Sequence, residues 1–574
     1  MKHLSSLALC GCLCLTGLAC VPPSATDGNG GSKGTGGGAG HGGSSTKGGA
    51  GGSGGTVASG GAGSGGATGD GSGGKGSGGA AGDGSGGKGN GGAAGAGGGS
   101  GGKGGAGTGG TTGGGGKGGG AGAGLGGGMG SSSGSSPGDA SGNCTFSQQG
   151  AQSSAIQTVG VVTWSTTHPS VTSAHIDFGL TTSYGMTAPV DLTAKDYRTL
   201  LLGMKQNKTY NYRITATNSS GDCQSPNYTI DTGSVLTGLP TIKINNKSTA
   251  SPLFGGFLIT GQYVQSPSGN KSPVYILDGD GEYVWAVKVT TDVTGAAMSY
   301  DGNYMWINAA NVPGPNGQSV HRVAMDGTGD QDLSSKFTGL NHQLTVLPDE
   351  TVAFYAYNSS AGCDDIKEYN PTTGNVTTII NAGAAEGSGV TACHCNNVQY
   401  SNFDGKENAL VFSDLDNQVV VKVSRDTKKV IWVLNGGTKS TFSGFTWAGG
   451  EHGLHLLAID RLLVFNNNSK NFSMGGGSST TAGTGDGSIA LEVQLDLTGK
   501  KASSPWSYKS SVQNDVMGDV QRLSNGNTIV AYSTKGVVQE VSSSKTLLQE
   551  LDWPAGGAFG YIEKRATLYG PRPR

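Results

Sequence analysis

The chain has 574 residues and a formal net charge of −2, and charged residues make up only 13% of it. No basic stripe interrupts this low charge, so nucleic acid is not expected as a partner. A large share of the 111 glycines is crowded into one N-terminal tract, which excludes a single globular domain running the whole length of the chain.

The N-terminus has the pattern of an export signal. An apolar run from Leu4 to Ala19 follows a basic start, so residues 1–19 are predicted to be a signal peptide, too short to span a membrane. Leu18-Ala19-Cys20 resembles a bacterial lipoprotein cleavage site, with Gly17 where that motif usually has Leu. The resemblance implies an exported cell-envelope protein, anchored by lipid on Cys20 in the outer membrane or periplasm. Ordinary cleavage with secretion is the alternative.

Residues 20–143 are predicted to be a disordered linker rich in Gly and Ser. This tract has almost no apolar side chains to offset the entropy of ordering, so it cannot form a core. A flexible coil of about 120 residues has a root-mean-square span of roughly 60 Å. Such a leash is consistent with a lipid anchor, because it holds the folded part away from the membrane.

Residues 144–236 are predicted to form a small β-sandwich. Short strand-like segments alternate with turn signals, among them Val161–Thr166, with Trp164, and Thr209–Ala216. The segment Leu202–Arg213 resembles the fibronectin type III signature. Cys144 and Cys223 bracket the domain, and in an exported protein a disulfide between them is the simple expectation.

Residues 237–574 carry a repeated outline in which a short strand opens with a histidine and a turn leads to an apolar strand. His342, His394 and His452 occupy the same place in three successive units, 52 and 58 positions apart. A fourth copy, Gly518–Leu523, lacks the histidine. A period of about 40 to 60 residues indicates a blade array. Six units predict a six-bladed β-propeller in an all-β protein, with seven blades as the alternative.

Three equivalent histidines would meet around the propeller axis. This set resembles the bacterial arylsulfate sulfotransferases, and the matching segments are Asn341-His342-Gln343, His394-Cys395-Asn396, Glu451-His452-Gly453 and Gln521–Thr528. The resemblance covers roughly residues 240–565. It implies transfer of a sulfuryl group from a small aryl sulfate donor to a phenol acceptor, with no cofactor and no metal.

The resemblance also implies roles for individual residues. His452 matches the histidine that becomes sulfated, His342 and His394 would donate hydrogen bonds, and Asn396 and Arg522 are candidate substrate-binding residues. A neutral imidazole is a competent nucleophile near pH 7. A polar channel-mouth histidine bonded to backbone or water is the structural alternative for each of the three.

Two departures from the family pattern bear on activity. Ser413 is followed by Asp414, where the family has an arginine that would hold the sulfuryl oxygens, and a carboxylate there is expected to repel sulfate. Arg322, Arg461 or Arg522 would have to replace it from another blade. Gly453 stands where Asp or Ala is usual. The alternative function is therefore a catalytically inactive propeller that binds a ligand or glycan at the cell surface.

The cysteines of the large domain can be interpreted as a disulfide pair or as part of a metal site. Cys363 is expected to pair with Cys393 or Cys395, which leaves one odd thiol. Cys393-His394-Cys395 invites a metal interpretation, but neighbouring residues of a strand point to opposite faces. A metal site is therefore not predicted there.

Overall fold

A computed structural model of the protein describes residues 144–263, 270–310, 317–390, 392–470, 482–553 and 558–570. These residues fall in one compact unit. The predicted signal peptide, the lipidation site Cys20 and the predicted linker lie outside the described residues. The all-β class is confirmed, because the described chain contains 33 strands and a single five-residue α-helix.

The first eight strands form two antiparallel sheets. One has the order β1-β2-β5, and the other has the order β4-β3-β6-β7 with β8 also paired to β6. A shared core that includes Trp164, Phe178 and Tyr212 lies between them. The resemblance to fibronectin type III stays a prediction. The strands are β1 (Phe146–Gln152), β2 (Gly160–Thr166), β3 (Ser173–Gly179), β4 (Met186–Pro189), β5 (Thr199–Leu201), β6 (Thr209–Asn218), β7 (Gly221–Gln224) and β8 (Tyr228–Asp231).

The rest of the described chain forms six antiparallel sheets in a propeller-like arrangement. The strands of the first three sheets, with β9, are β9 (Lys243–Asn246), β10 (Phe257–Gly261), β11 (Pro273–Leu277), β12 (Tyr283–Lys288), β13 (Val293–Met298), β14 (Tyr304–Ala310), β15 (Gln318–Ala324), β16 (Asp330–Asp332), β17 (Leu340–Val346), β18 (Val352–Asn358), β19 (Cys363–Tyr369) and β20 (Val376–Asn381).

Helix α1 (Ala382–Glu386) leads from the third sheet to the fourth. The remaining strands are β21 (Cys395–Ser401), β22 (Ala409–Asp414), β23 (Val419–Ser424), β24 (Val430–Leu434), β25 (Glu451–Ala458), β26 (Arg461–Asn466), β27 (Ile489–Asp496), β28 (Lys501–Lys509), β29 (Asp519–Arg522), β30 (Thr528–Tyr532), β31 (Val537–Val541), β32 (Leu547–Asp552) and β33 (Glu563–Arg565).

Sheets two to five are meanders of four consecutive strands, β13–β16, β17–β20, β21–β24 and β25–β28. Each sheet packs against its neighbours, so several central strands are buried on both faces and have continuous apolar sequences. All five residues of β11 are buried, for example, whereas the outermost strand β16 is exposed throughout. The first strands β13, β17, β21, β25 and β29 contact each other in succession and are called the inner strands, together with β33.

The two ends of this region interlock. The C-terminal strand β33 pairs antiparallel with β10, which places Glu563 opposite Ile259, and the sheet order is β12-β11-β10-β33. At the other end of the region, β9 adds to β32 as the fifth strand of the last sheet. Gln521 on β29 exchanges two 2.7 Å side-chain hydrogen bonds with the backbone of Lys564 on β33, which joins the last sheet to the first.

The sandwich packs directly on the first two sheets. Ile156 and Leu202 belong to the same buried cluster as Trp285 and Met325. The Tyr569 hydroxyl donates to the Leu200 carbonyl at 2.9 Å and accepts from the Leu202 N–H at 2.6 Å. The C-terminal segment therefore contacts both domains: β33 pairs with the first sheet of the large domain, and Tyr569 bonds to the sandwich. None of the helices in the described ranges has the length and apolar character that crossing a membrane requires.

The interlocked strands give a stability prediction. Ile259 is fully buried opposite β33, and replacing it with Ala should lower the free energy of unfolding by about 2–5 kcal/mol, because the smaller side chain leaves a cavity in the core. Ile431, 47% exposed on β24, is the matched control, and Ile431→Ala should cost less than about 1 kcal/mol. Denaturant unfolding measures both. Equal losses in the two variants would contradict a closed core at β10.

Candidate active site

The structure brings His342, His394 and His452 together at the beginnings of three consecutive inner strands. His342 lies in β17, His394 directly precedes β21, and His452 lies in β25. Each of these strands shifts register against its neighbour at the histidine or next to it. Such bulges bend a strand and re-aim a side chain, so the same local irregularity turns all three imidazoles toward the axis.

His342 occupies the left-handed backbone region, with φ +47°, which is uncommon for a residue other than glycine. Its carbonyl is held in place by two donors of the second sheet. The Thr294 hydroxyl donates at 2.8 Å and the Asn308 side-chain amide at 2.5 Å. These buried hydrogen bonds offset the conformational cost and fix the direction of the imidazole.

Two of the imidazoles share a proton. Nε2 of His342 and Nε2 of His394 are 2.7 Å apart, and their rings are stacked with centroids 4.9 Å apart. At that separation one nitrogen donates and the other accepts. The third ring, that of His452, lies edge-on to His342 with a centroid separation of 6.0 Å.

The tautomer of His452 follows from its partner, Asn467. The Asn467 side-chain amide donates to the carbonyls of Asn514 (2.7 Å) and Met517 (2.9 Å), so its oxygen is the atom that faces the imidazole. That oxygen is 2.6 Å from Nδ1 of His452. Nδ1 must therefore carry the proton, and the lone pair lies on Nε2. His452 thus presents an unprotonated ring nitrogen.

Burial keeps all three imidazoles neutral. It lowers the pKa of His452 from 6.5 to about 3, with a further contribution from the neighbouring His394. Burial and the two other histidines also lower the pKa of His342 well below its usual range. The pKa of His394 falls for the same reason, although Asp414 opposes the shift. Neutral imidazoles are the forms that can act as nucleophile and hydrogen-bond donor.

Asn396 lies beside this cluster with one open acceptor. Its amide nitrogen donates to the Glu451 carbonyl at 2.7 Å, and its backbone carbonyl accepts from the Tyr561 hydroxyl at 3.0 Å. Its side-chain oxygen is buried and has no hydrogen-bond partner among the described residues. Such an atom is available to accept a hydrogen bond from a ligand.

A cavity opens along the axis beyond the histidines. Its volume is about 50 Å³, and Tyr300, Tyr400 and Phe403 are among its lining residues, which do not include the three histidines. Along β17 and β21, the directly bonded side chains of Gln343 and Asn397 come between the histidines and this cavity. Aromatic rings and a few polar groups are typical of a site for a small organic ligand.

Gly453 follows the nucleophile candidate for a steric reason. A Cβ at this position would lie 2.3 Å from the Asp519 carboxylate and 2.6 Å from Asp519 Cα. Asp519 opens the inner strand of the last sheet, the copy of the repeat that lacks a histidine. Glycine is therefore required for the fifth and sixth sheets to approach each other here, and the departure from the family pattern has a packing cause.

Asp414 is a structural anchor of the site. Its carboxylate accepts from the backbone N–H of His394 at 3.2 Å, and from the backbone and side chain of Asn417 at 3.2 Å each. This residue is fully buried at the end of β22. The acid at the position where the sequence pattern expects an arginine thus fixes the loop that carries His394.

The three arginines considered as replacements are engaged elsewhere. The Arg522 guanidinium lies 2.8 Å from Glu492 and over the Trp506 ring, and Arg461 also pairs with Glu492. Arg322 lies over the Tyr304 ring, 3.6 Å from its centroid. In the part of the chain that the structure describes, none of these guanidinium groups contacts the histidines. Substrate binding by Arg522 is therefore not supported by its position.

The described cysteines form two disulfides, Cys144–Cys223 in the sandwich and Cys363–Cys393 in the third and fourth sheets. The second ties the loop before His394 to β19. Cys395 is a buried free thiol, and its backbone N–H donates to Asp364 at 2.9 Å. Burial raises the pKa of Asp364 to about 7.

Sequence reasoning missed two members of the site, Asn467 and Tyr561. Asn467 follows β26 in the run Asn466-Asn467-Asn468, and an asparagine run directly after a strand was the available signal. Tyr561 lies two residues before β33 and reaches Asn396 from the far end of the sequence. No local pattern marks it, because its role depends on closure of the ring.

Residues 382–559 match the family model described as Arylsulfotransferase (ASST). The matched segment contains His394, Asn396, His452 and Asn467, and His342 lies outside it. No curated protein matches the chain.

Solved structures with similar folds include TolB from Acinetobacter baumannii, which is 12% identical with a TM-score of 0.37 and covers 64% of this chain and 81% of that chain. Virginiamycin B lyase from Staphylococcus aureus is 14% identical with a TM-score of 0.31, over 54% of this chain and 87% of that one.

The tautomer of His452 can be tested directly. In ¹⁵N-histidine spectra at pH 7, His452 should show a protonated Nδ1 and an unprotonated Nε2, because Asn467 presents an acceptor to Nδ1. Asn467→Ala should shift the resonances toward a mixture of tautomers. A wild-type spectrum with the proton on Nε2 would refute the assignment.

The lowered pKa of His452 also predicts a pH dependence of stability. In the unfolded chain this histidine is protonated below its ordinary pKa of 6.5, whereas in the folded protein it stays neutral down to about pH 3. The free energy of unfolding therefore decreases as the pH is lowered through that window. Between pH 7.5 and 5 this histidine should cost about 2 kcal/mol. His452→Gln should remove that share of the slope in denaturant unfolding, and His175→Gln, on the sandwich, should not. Parallel profiles for wild type and His452→Gln would contradict a neutral buried imidazole.

Proposed function

We propose that the protein is an arylsulfate sulfotransferase-like enzyme, which moves a sulfuryl group from an aryl sulfate to a phenol through a sulfated His452. The observation that carries the proposal is the arrangement of His452, with its proton held on Nδ1 by Asn467 and its Nε2 lone pair free beside the His342–His394 pair. Support also comes from the family match, which spans His394 and His452.

In the first half-reaction, Nε2 of His452 attacks the sulfur of the aryl sulfate. The N–S bond forms as the S–O bond to the ring breaks, and the electron pair leaves with the aryl oxygen as a phenoxide. The N–H that His342 and His394 share in their mutual hydrogen bond can be redirected to a sulfuryl or phenoxide oxygen when substrate enters. Asn467 stabilises the positive charge that forms on the ring of His452, because its oxygen accepts from Nδ1.

In the second half-reaction, an acceptor phenol attacks the same sulfur and the N–S bond breaks, which regenerates neutral His452. The proton lost by the acceptor balances the proton gained by the departing phenoxide. The open side-chain oxygen of Asn396 is suited to accept a hydrogen bond from the acceptor hydroxyl. By analogy with phosphoryl transfer, positioning and charge stabilisation supply the catalysis.

We also infer the setting of this chemistry. The six sheets correspond to the blades of a six-bladed propeller, and the sandwich corresponds to a fibronectin type III-like spacer. The lipoprotein-type signal suggests an exported enzyme tethered to the cell envelope through Cys20 and the Gly-rich linker. Small phenolic sulfates and phenols would reach it from outside the cytoplasm.

The second candidate function is a catalytically inactive propeller that binds a ligand or glycan. One observation favours it: among the described residues, the recorded contacts of His394 and His452 include no arginine or lysine side chain. A sulfuryl group carries spread negative charge, and a binding module for a neutral ligand does not need a cation at this place.

Turnover of 4-nitrophenyl sulfate by the purified full chain tests the proposal. Nitrophenol release should depend on added phenol, and intact mass in the absence of phenol should show one added sulfuryl group on His452. His452→Ala should lower the rate by at least about 10³-fold, because the transfer loses its nucleophile.

His175→Ala is the matched control for that experiment, since His175 lies on the sandwich, and it should leave the rate unchanged. Circular dichroism should be used to check that each variant is folded. If the folded wild type yields neither nitrophenol nor an adduct, the binding function replaces the enzymatic one. Unchanged turnover in His452→Ala would overturn the mechanism.

A further inference from the structure

Three carboxylates gather beside the histidine pair, where the third, fourth and fifth sheets meet. Glu386 is the last residue of α1, Asp414 ends β22, and Glu451 opens β25. All three are buried, with exposures of 2%, 0% and 0%. Asp414 is bonded to the His394 backbone, so the group adjoins the candidate active site.

Two of these carboxylates approach each other closely. Carboxylate oxygens of Glu386 and Asp414 lie within 4.8 Å of each other and of the Cys393 sulfur. That sulfur belongs to the Cys363–Cys393 disulfide and is not a thiolate. Burial, followed by the charge of Asp414, raises the pKa of Glu386 well above its usual range.

Several oxygens of the group lack a donor. Both side-chain oxygens of Glu386 and one of Glu451 are buried without a donor among the described residues. Glu386 and Asp414 are within hydrogen-bond reach of each other, so these two carboxyl groups must share either a proton or a cation. The other Glu451 oxygen accepts from the Trp447 indole at 3.1 Å. Native proteins seldom leave buried carboxyl oxygens without donors, so each of these atoms points to something that binds it.

The group has no ion-pair partner among the described side chains. Within the described ranges, none of the recorded ion pairs includes Glu386, Asp414 or Glu451. The exposed Lys439 acts on Glu386 only from a distance. Burial of unpaired carboxylates costs several kcal/mol each unless they are protonated or bound to a cation.

We propose that Glu386 and Asp414 bind a calcium ion, with Glu451 supplying further negative charge beside it. Carboxylate oxygens are the ligands that hard divalent cations prefer, and Ca²⁺ accepts carboxylates together with backbone carbonyls and waters. The disulfide removes the soft sulfur ligand that would favour zinc. Oδ2 of Asp414 retains a lone pair beyond the hydrogen bond that it accepts from Asn417, whereas Oδ1 already accepts two hydrogen bonds.

This site would change the electrostatics of the neighbouring histidines. The ion would offset two of the three carboxylate charges beside His394, among them that of Asp414, which stands at the sequence position where the family pattern places an arginine. The inference goes beyond the proposed function, because calcium binding is measured without turnover.

Calorimetry and thermal unfolding of the full chain test the site. After treatment with EDTA and dialysis, addition of CaCl₂ should release or absorb heat with about one site per chain. At millimolar Ca²⁺ the unfolding temperature should rise by at least about 3 °C, because the ion binds only the folded state. MgCl₂ should give a smaller rise, since Mg²⁺ gives up its waters reluctantly.

The variants Glu386→Gln and Asp414→Asn should each lose the Ca²⁺ response. Glu282→Gln, whose side chain is 51% exposed on the first sheet, is the matched control and should keep it. Asp414 also anchors a loop, so Glu386→Gln keeps the test decisive if Asp414→Asn fails to fold.

Two results would overturn the proposal. The first is a wild-type chain that shows neither heat nor a change in unfolding temperature with Ca²⁺; Glu386 and Asp414 then share a proton and not an ion. The second is a Ca²⁺ response that persists in Glu386→Gln. A chain that binds Ca²⁺ but does not turn over aryl sulfate would keep the site and reject the enzyme.

Discussion

The structure depends on the requirement that every sheet of the large domain be covered on both faces. Central strands such as β11 are apolar throughout, so a sheet left without a neighbour would expose them to water. Covering the first and last sheets requires that the ring be closed. The C-terminal strand β33 pairs with the first sheet and the early strand β9 pairs with the last, which closes the ring. Hydrogen bonds between the Gln521 side chain and the Lys564 backbone join these two sheets to each other.

Closure also assembles the candidate site. His342, His394 and His452 come from three different sheets and meet only because these sheets surround a common axis. Tyr561, which precedes the closing strand, reaches Asn396 across that axis. Asn467 then fixes the tautomer of His452 through its side-chain oxygen. The amide of Asn467 is itself held by the carbonyls of Asn514 and Met517. The chemistry therefore depends on contacts that are distant in sequence.

The sequence alone predicted those features that local pattern determines. The expected strands at Val161–Thr166 and Thr209–Ala216 correspond to β2 and β6, and the repeated outline placed the three histidines at equivalent positions. It did not reveal the partner of His452, the pairing of β9 with β32, or the direction of the Arg522 side chain. These features depend on which sheets are neighbours, and the period of a strand does not contain that information.

The bulges at the starts of the inner strands have a consequence for how such a protein can change over evolutionary time. The histidines and Asn396 lie where the ladder of backbone hydrogen bonds is already interrupted, so exchanging a side chain there removes little from the sheets. Strength and chemistry reside in different parts of each repeat. Side chains at these interrupted positions can therefore change while the six sheets keep the same order and pairing.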